Sequence, residues 1–119
     1  MDLNEIEKHM KIYEFTRILG ILLDNAIEAS SECDEKIIHV SFRKEDNRHR
    51  LIMVIENTYK NKDINVDKIF EKDFSTKSKK SNSGLGLWEV RQILKKNNNL
   101  NLFTSKGDEF FSQQFEIYY

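Results

Sequence analysis

The sequence predicts a two-layer α/β (α+β) sandwich, in which a mainly antiparallel, mixed sheet is covered on one face by helices. Three observations predict it. Two segments repeat apolar residues at three- and four-residue steps, which is typical of amphipathic helices. Four others alternate apolar and polar residues and are joined in pairs by short polar stretches, which is typical of β-hairpins. A chain of 119 residues has room for one such domain, so residues 1–119 are expected to fold as a single unit.

The first half of the chain predicts a long helix followed by a hairpin. After a charged lead-in over residues 1–12, apolar residues at helical spacing predict a helix from Tyr13 to about Ser31. The stretches "KIIHVSFR" and "RLIMVIEN" then alternate at period two around the polar "KEDNRH". This alternation predicts an antiparallel hairpin.

The second half predicts a loop, a helix and a second hairpin. A short helix is predicted over "NVDKIFEKDF", and "STKSKKSNS" predicts a loop because it has almost no apolar residue to bury. A helix is predicted from Leu85 to Asn97, with its apolar residues on one side. The final stretch "LNLFTSKGDEFFSQQFEIYY" predicts two strands joined by a turn at Gly107.

Composition excludes several classes of protein. The net charge of −1 supplies no strong field that would recruit nucleic acid or an anionic membrane. Cys33 is the only cysteine, so no internal disulfide forms and no Cys/His cluster offers a zinc site. No apolar run approaches the ~20 residues that span a bilayer, and the opening "MDLNEIEK" lacks a signal-peptide pattern. We expect a soluble domain in a reducing compartment.

Two glycines directly before the second helix indicate a possible anion site. The stretch "NSGLGLWEV" holds Gly84 and Gly86, half of the glycines in a chain that has no proline. Glycine lets a backbone approach a bulky ligand, and a helix amino terminus attracts phosphate through its unpaired N–H groups. A tight turn into the helix is the alternative that this stretch alone leaves open. The polar side chains that could close over such an anion are Ser75, Thr76, Lys77, Lys79 and Lys80.

A polar residue in the first helix belongs to the same hypothesis. Asn25 interrupts "ILGILLDNAIEAS" three residues after Leu22, at or beside the apolar face, and asparagine is poorly suited to a helix interior. For a lone asparagine the favoured interpretation is a satisfied core polar group or an exposed boundary residue. The chain has neither a Walker A sequence nor a dinucleotide fingerprint. Together with the glycine pair, Asn25 therefore favours a phosphate site of another architecture.

Three stretches resemble, in order and spacing, the N box, F box and G2 box of the ATP-binding catalytic domain of sensor histidine kinases. They are "RILGILLDNAIEAS", "IFEKDFSTK" and "SGLGLWEV". That domain has the Bergerat (GHKL) fold, which type II topoisomerases and MutL-type ATPases share. The resemblance extends from about Tyr13 to Tyr119. The stretches "LDNAIEAS" and "FSTK" most resemble the peptide quorum-sensing kinases of Gram-positive bacteria, of the staphylococcal accessory gene regulator type.

The resemblance implies a role for individual residues. Asn25 matches the asparagine that holds Mg²⁺ with the triphosphate of ATP, and an amide oxygen suits that ion. Asn57 falls where the G1 box has the aspartate that reads the adenine amino group. Phe70 and Phe74 would pack the nucleotide lid, with ordinary core packing as an equal alternative. The remaining residues for which nucleotide contact is implied are Thr76, Lys77, Gly84, Leu85 and Gly86.

The sequence departs from the family pattern at several positions. In place of the G1 pattern DxGxG it has "NTYKN", with Asn57 for the aspartate and Tyr59 and Asn61 for the glycines. Asn82 replaces the first G2 glycine. Ile21 stands where the ATPase branches of the fold place a glutamate that activates water, which argues against efficient hydrolysis. A kinase whose acceptor is a histidine on another domain needs no such base.

The three histidines of the chain are expected to be structural. His9, His39 and His49 lie in the lead-in, on a strand and in a hairpin loop. The acceptor histidine of these kinases lies on a helical hairpin that precedes the catalytic domain, and residues 1–12 leave no room for it. The chain is therefore expected to be a fragment, monomeric in isolation. Its parent would be a homodimeric, membrane-bound sensor kinase with this domain in the cytoplasm and a response regulator downstream.

Three functions remain open from the sequence. The favoured one binds Mg·ATP and donates the γ-phosphoryl group to a histidine on the dimerisation domain, with positioning and charge stabilisation as the main catalytic effects. The second is another enzyme of the same fold, a serine kinase or an ATPase. The third is a degenerate module that binds nucleotide or a partner protein without chemistry, and the altered G1 box is its support.

Overall fold

The computed structural model describes residues 1–71 and 83–119, with only the backbone of residues 83–85. The helices in this part of the chain are α1 (Leu3–Glu7), α2 (Ile12–Ser31) and α3 (Ser83–Lys96). The strands are β1 (Ile38–Glu45), β2 (Arg50–Thr58), β3 (Leu100–Lys106) and β4 (Phe110–Tyr118). Of the helices that the structure describes, none combines the length and the apolar character needed to cross a bilayer.

The four strands form one sheet in the order β1-β2-β4-β3, and each neighbouring pair is antiparallel. The odd-numbered residues of β2 and β4 face the helices. Leu51, Met53 and Ile55 of β2 are buried there beside Phe115 and Ile117 of β4. All the described helices cover this face, which confirms the predicted two-layer class. Both predicted hairpins are confirmed, and each of their strands ends within about two residues of its predicted bounds.

Helix α2 covers the centre of the sheet because its apolar residues recur on one side. Phe15, Ile18, Leu22 and Ala26 are buried along that side, and the ring centroid of Phe15 lies 6.4 Å from that of Phe115. Burial of such a stripe supplies most of the stability of a surface helix. The predicted helix is confirmed, with its first residue one position earlier than expected.

The lead-in over residues 1–12 is part of the folded domain. Asp2 caps α1 by accepting a hydrogen bond from the backbone N–H of Asn4 at 3.0 Å. Ile6 and Met10 are buried in the same core as α2. The backbone of His9 is hydrogen-bonded to the residue before β3, because Asn99 Nδ2 donates to its carbonyl at 2.8 Å. The core therefore begins well before the amphipathic pattern of α2.

The short helix predicted over "NVDKIFEKDF" is wrong as far as the structure describes it. Residues 66–70 form successive turns, with the N–H of Lys68 donating to the carbonyl of Asn65 at 3.1 Å. The side chain of Asn65 accepts the N–H of Asp67 at 2.9 Å, and such local bonds compete with helix formation. Ile69 is nevertheless buried in the core and fixes this loop to the domain.

The face of the sheet away from the helices holds a buried carboxylate. Glu116 is 0% exposed. It accepts hydrogen bonds from Arg50 Nη1 at 2.6 Å, Gln114 Nε2 at 2.8 Å, the Tyr118 hydroxyl at 2.9 Å and Asn101 Nδ2 at 3.2 Å. These donors come from three strands and replace the water that the carboxylate loses. The polar network joins β2, β3 and β4 on the face opposite to the described helices.

Truncation of the central phenylalanine tests the assignment of the core. Phe115 is 0% exposed and packs on α2, so Phe115→Ala is expected to lower the free energy of unfolding by about 3–5 kcal/mol. Phe103 is 59% exposed on the opposite face of the sheet, and Phe103→Ala should change it by less than about 0.5 kcal/mol. Denaturant unfolding measures both. Equal losses in the two variants would contradict the assignment of the buried face.

Candidate functional site

Helices α2 and α3 lie side by side, and their contacts fix the position of the start of α3. The contacts that join them are Glu14 with Lys96 at 3.0 Å, Arg17 with Glu89, and Ile21 with the backbone position of Gly86. Residue numbers rise along α2 as they fall along α3, so the helices are antiparallel. Asn25 follows Ile21 by one helical turn and therefore lies level with Ser83, where α3 begins.

The end of β2 lies at the same end of the domain as Asn25. Helix α2 ends at Ser31, and a short link leads to Ile38, which pairs with Asn57 across the sheet. Asn57 continues the odd-numbered, helix-facing positions of β2. Asn25, Asn57 and the start of α3 therefore converge at one end of the domain, on the helix-covered side of the sheet. The sequence predicted each of them as a site residue or segment.

Asn57 is held in one orientation. It is 2% exposed, and its Nδ2 donates to the backbone carbonyl of Thr58 at 3.0 Å. The Thr58 hydroxyl donates to the carbonyl of Glu35 at 2.8 Å and accepts the N–H of Ile37 at 3.1 Å, which fixes the end of β2. With the nitrogen engaged, Oδ1 is the atom that Asn57 offers to a donor. An aspartate here would place a carboxylate oxygen against the Thr58 carbonyl.

Tyr59 occupies a G1 glycine position, and its hydroxyl is directed to the β3–β4 turn. Its ring is buried, lies 5.8 Å from the ring of Phe111, and carries a hydroxyl that donates to the carbonyl of Gly107. Burial raises the pKa of the Tyr59 phenol, so the donor keeps its proton. Lys62 Nζ lies 3.6 Å from the centroid of the Tyr59 ring on the loop side. The tyrosine therefore fastens the loop after β2 to the β3–β4 turn.

Other predicted residues are placed as follows. Asn61 is exposed, and its side chain accepts the N–H of Asp63 at 3.3 Å. Phe70 is partly buried against the core, as the packing alternative expects. Gly84 and Leu85 belong to the first turn of α3. The remaining predicted positions lie outside the described residues, namely Phe74, Ser75, Thr76, Lys77, Lys79, Lys80 and Asn82.

Gly86 has a neighbour that sequence reasoning missed. It is buried in the first turn of α3, and a methyl group added at its Cα would lie 3.1 Å from Cγ2 of Ile21. That separation is tighter than ordinary carbon contacts, whose optimum is about 3.5–4.0 Å. The glycine thus lets α3 approach α2. A pattern of helix-spaced apolar residues in α2 was the only signal for this contact, and it did not identify the partner.

The histidines lie away from the convergence of Asn25, Asn57 and α3. His9 stacks on Tyr119 with 4.6 Å between ring centroids, and His49 meets the same ring edge-on at 6.0 Å. Both are at the opposite end of the domain. His39 pairs with Glu56 on the face of the sheet that the helices leave open. These positions agree with the structural role that the sequence predicts for each of them.

Residues 10–118 match the family model described as the GHKL domain. The chain belongs to the GHKL domain family. This establishes the family that the N-box, F-box and G2-box resemblance indicated. The match does not distinguish quorum-sensing kinases from other members, so that finer resemblance stays a prediction. Among curated proteins, no match is found.

Solved structures with the same fold include histidine kinase domains. The nucleotide-free catalytic domain of histidine kinase ThkA superposes with a TM-score of 0.72 at 23% identity, over 90% of this chain and 67% of that one. A second nucleotide-free form of ThkA gives 0.70, with 66% of its chain covered. The histidine kinase domain of the blue-light activated kinase EL346 from Erythrobacter litoralis gives 0.63 at 17% identity, over 89% and 43%. At these identities the likeness concerns the GHKL fold.

Proposed function

We propose that this GHKL domain binds Mg·ATP and donates the γ-phosphoryl group to a histidine carried by a separate dimerisation domain. The observation that carries the proposal is the convergence of Asn25, Asn57 and the start of α3 at one end of the helix-covered face. The residues proposed to bind adenine and phosphate would therefore lie on the same side of one sheet. The family and the fold of its solved neighbours favour the same assignment.

Asn57 is the residue proposed to recognise the adenine base by a hydrogen bond. Its Oδ1 is a fixed acceptor, because the nitrogen of the amide is held by the Thr58 carbonyl. Adenine presents an amino group that can donate to such an oxygen, whereas guanine presents a carbonyl at the corresponding position. A rigid acceptor therefore favours ATP over GTP.

We propose that the start of α3 and Asn25 bind the phosphates, Asn25 through the metal ion. Unpaired N–H groups and the helix dipole at Ser83 attract an anion. The part of the chain that the structure describes has no group of three His, Cys, Asp or Glu side chains able to hold a metal. One amide oxygen, from Asn25, suits an ion such as Mg²⁺ that takes most of its ligands from phosphate and water. When bound, Mg²⁺ neutralises charge on the phosphate oxygens.

The same end of the domain lacks a base at the position one turn before Asn25. Ile21 is only 7% exposed and contacts Gly86, so its side chain fills the space between α2 and α3 with hydrocarbon. An apolar side chain cannot take a proton from water, and this disfavours hydrolysis. With the histidines elsewhere, the acceptor has to come from another segment or polypeptide. A nucleotide site whose acceptor comes from elsewhere fits a histidine kinase better than an ATPase.

The setting of the parent protein is a further part of the proposal. The chain spans 67% of the ThkA domain and 43% of the EL346 domain. We place it in a homodimeric, membrane-bound sensor kinase of the peptide quorum-sensing type, with a response regulator as the final acceptor. The sequence stretches "LDNAIEAS" and "FSTK" support that subfamily.

A binding module without catalysis is the second candidate. The neutral Asn57 and the glycine replacements at Tyr59 and Asn61 favour it, because they alter the G1 box. The structure weakens this argument, since Tyr59 is directed to Gly107 and Asn61 is exposed. Transfer of phosphate to an acceptor hairpin separates the two candidates, because a binding module would hold ATP without transferring it.

Asn57→Ala is expected to weaken ATP binding by roughly 0.5–1.5 kcal/mol, the usual contribution of a hydrogen bond. GTP should bind poorly to the unaltered chain. Isothermal titration calorimetry with both nucleotides measures these affinities. Asn47→Ala is the matched control, because Asn47 is an exposed asparagine in the β1–β2 turn, at the opposite end of β2 from Asn57, and should leave ATP binding unchanged. Equal affinity of the unaltered chain for ATP and GTP would contradict the role of Asn57.

A further inference from the structure

At Gly86, the bare backbone of α3 packs against a large side chain of α2. A methyl group at Gly86 would lie 3.1 Å from Cγ2 and 3.6 Å from Cγ1 of Ile21. Ile21 is 7% exposed and belongs to the hydrophobic core, so its side chain has little space into which it can turn. The distance between the two helices at this level is therefore set by the size of Ile21 and by the missing side chain of Gly86.

The rest of α3 is held by Leu87, Val90 and Ile93, which are buried in the core, and by polar contacts farther along. Arg17 pairs with Glu89, and the buried carboxylate of Glu14 accepts hydrogen bonds from Lys96 at 3.0 Å and Asn97 at 3.3 Å. These contacts lie toward the carboxyl end of α3. If the space at Gly86 were filled, the helix would tilt about them, and the movement would be largest in its first turn.

That first turn faces Asn25. Asn25 lies one turn beyond Ile21, level with Ser83. A metal ion held by Asn25 and phosphates held by α3 must also contact each other, and Mg²⁺ accepts little variation around about 2.1 Å to its oxygens. A change of a few tenths of an ångström in the spacing of the helices is therefore large for this site.

We propose that Ile21 and Gly86 form a size-matched pair that sets the spacing between Asn25 and the phosphate-binding start of α3. Ile21 is thus a positioning residue for the triphosphate, and Gly86 serves mainly as its partner. The inference rests on the proposed Mg·ATP function. It gives a reason for a glycine at position 86 other than direct contact with phosphate, because the bare side of Gly86 faces Ile21.

Two ligands distinguish positioning from a general effect on the fold. Mg·ATP needs the spacing of the helices, whereas adenosine needs Asn57 on β2 and lacks phosphates. Gly86→Ala is expected to weaken Mg·ATP binding about tenfold or more and to change adenosine binding by less than about twofold. The matched control is Gly20→Ala in α2, because among the described atoms a methyl group there meets nothing within 4 Å. It should leave both affinities unchanged.

A compensating substitution gives the second test. Removing the side chain that Gly86→Ala would strike should make room for the new methyl group. We expect Ile21→Ala alone to weaken Mg·ATP binding, and the double variant Ile21→Ala/Gly86→Ala to bind more tightly than Ile21→Ala. Calorimetry for Mg·ATP and NMR titration for adenosine measure the affinities, at a temperature at which circular dichroism shows each variant folded.

Three results would overturn the inference. These are unchanged Mg·ATP binding by Gly86→Ala, parallel losses of Mg·ATP and adenosine, and a double variant no better than Ile21→Ala. If Gly86→Ala does not fold, the comparison of Ile21→Ala with the double variant still decides. Failure of the unaltered chain to bind Mg·ATP would instead contradict the proposed function, so the two failures are distinguishable.

Discussion

Asn25→Ala is expected to lower the affinity for Mg·ATP by about 10- to 100-fold while the fold stays intact. A contact to a charged group contributes about 1.5–3 kcal/mol, and Asn25 is the only proposed protein ligand of the metal. Alanine is the best helix former, so the substitution should not weaken α2. Isothermal titration calorimetry gives the affinity, and circular dichroism checks the helix content.

A control variant and the dependence of binding on Mg²⁺ test the role of Asn25 further. Asp24 is exposed beside Asn25, and Asp24→Ala removes a side chain of similar size without touching the site. It should bind Mg·ATP like the unaltered chain. Removal of Mg²⁺ with a chelator should reduce binding by the unaltered chain and have little further effect on Asn25→Ala. Equal Mg²⁺ dependence in the two proteins would show that Asn25 is not the metal ligand.

Local periodicity was sufficient to predict most of the architecture. The helical spacing of Phe15, Ile18 and Leu22 and the alternation in the two hairpins depend only on neighbours in sequence, so both layers were predictable. Asn25 could also be singled out, because a polar residue stands out against a regular apolar pattern, whereas Asn57 was indicated by the resemblance to the G1 box. Their convergence is a consequence of the sheet order and of the short link from α2 to β1.

Contacts between distant residues could not be predicted in this way. Gly86 meets Ile21 from 65 positions away, and the hydroxyl of Tyr59 reaches Gly107 in another hairpin. Ile6 gives no periodic signal in a five-residue helix, although it is buried. The helix predicted over residues 65–74 is wrong in its described part, residues 65–71, because the side chain of Asn65 makes a local bond that a pattern of apolar residues does not show.

The second large effect concerns phosphoryl transfer. Incubated alone with Mg·ATP, the chain is expected to show almost no labelling of its own residues. His9 and His49 lie at the end of the domain opposite to Asn25, and His39 faces the other side of the sheet. Positioning of the nucleophile supplies most of the catalysis in such transfers, so a histidine that cannot reach the phosphate gains no rate.

Addition of a dimerisation hairpin that carries the acceptor histidine should start the reaction. In the proposed parent protein a covalent link to the hairpin would mainly raise the effective concentration, which a high concentration of separate hairpin would partly replace. A hairpin in which that histidine is replaced by alanine is the control for the acceptor. Asn25→Ala is the control for the donor, since it should lose transfer together with Mg·ATP binding.

The most direct measurement is the amount of acid-labile label on each polypeptide after incubation with γ-labelled ATP, the chain and the hairpin. The account predicts label on the hairpin histidine, none on the alanine hairpin, and only traces on the chain itself. Stoichiometric label on His9, His39 or His49, or tight Mg·ATP binding with no transfer to any supplied hairpin, would contradict it.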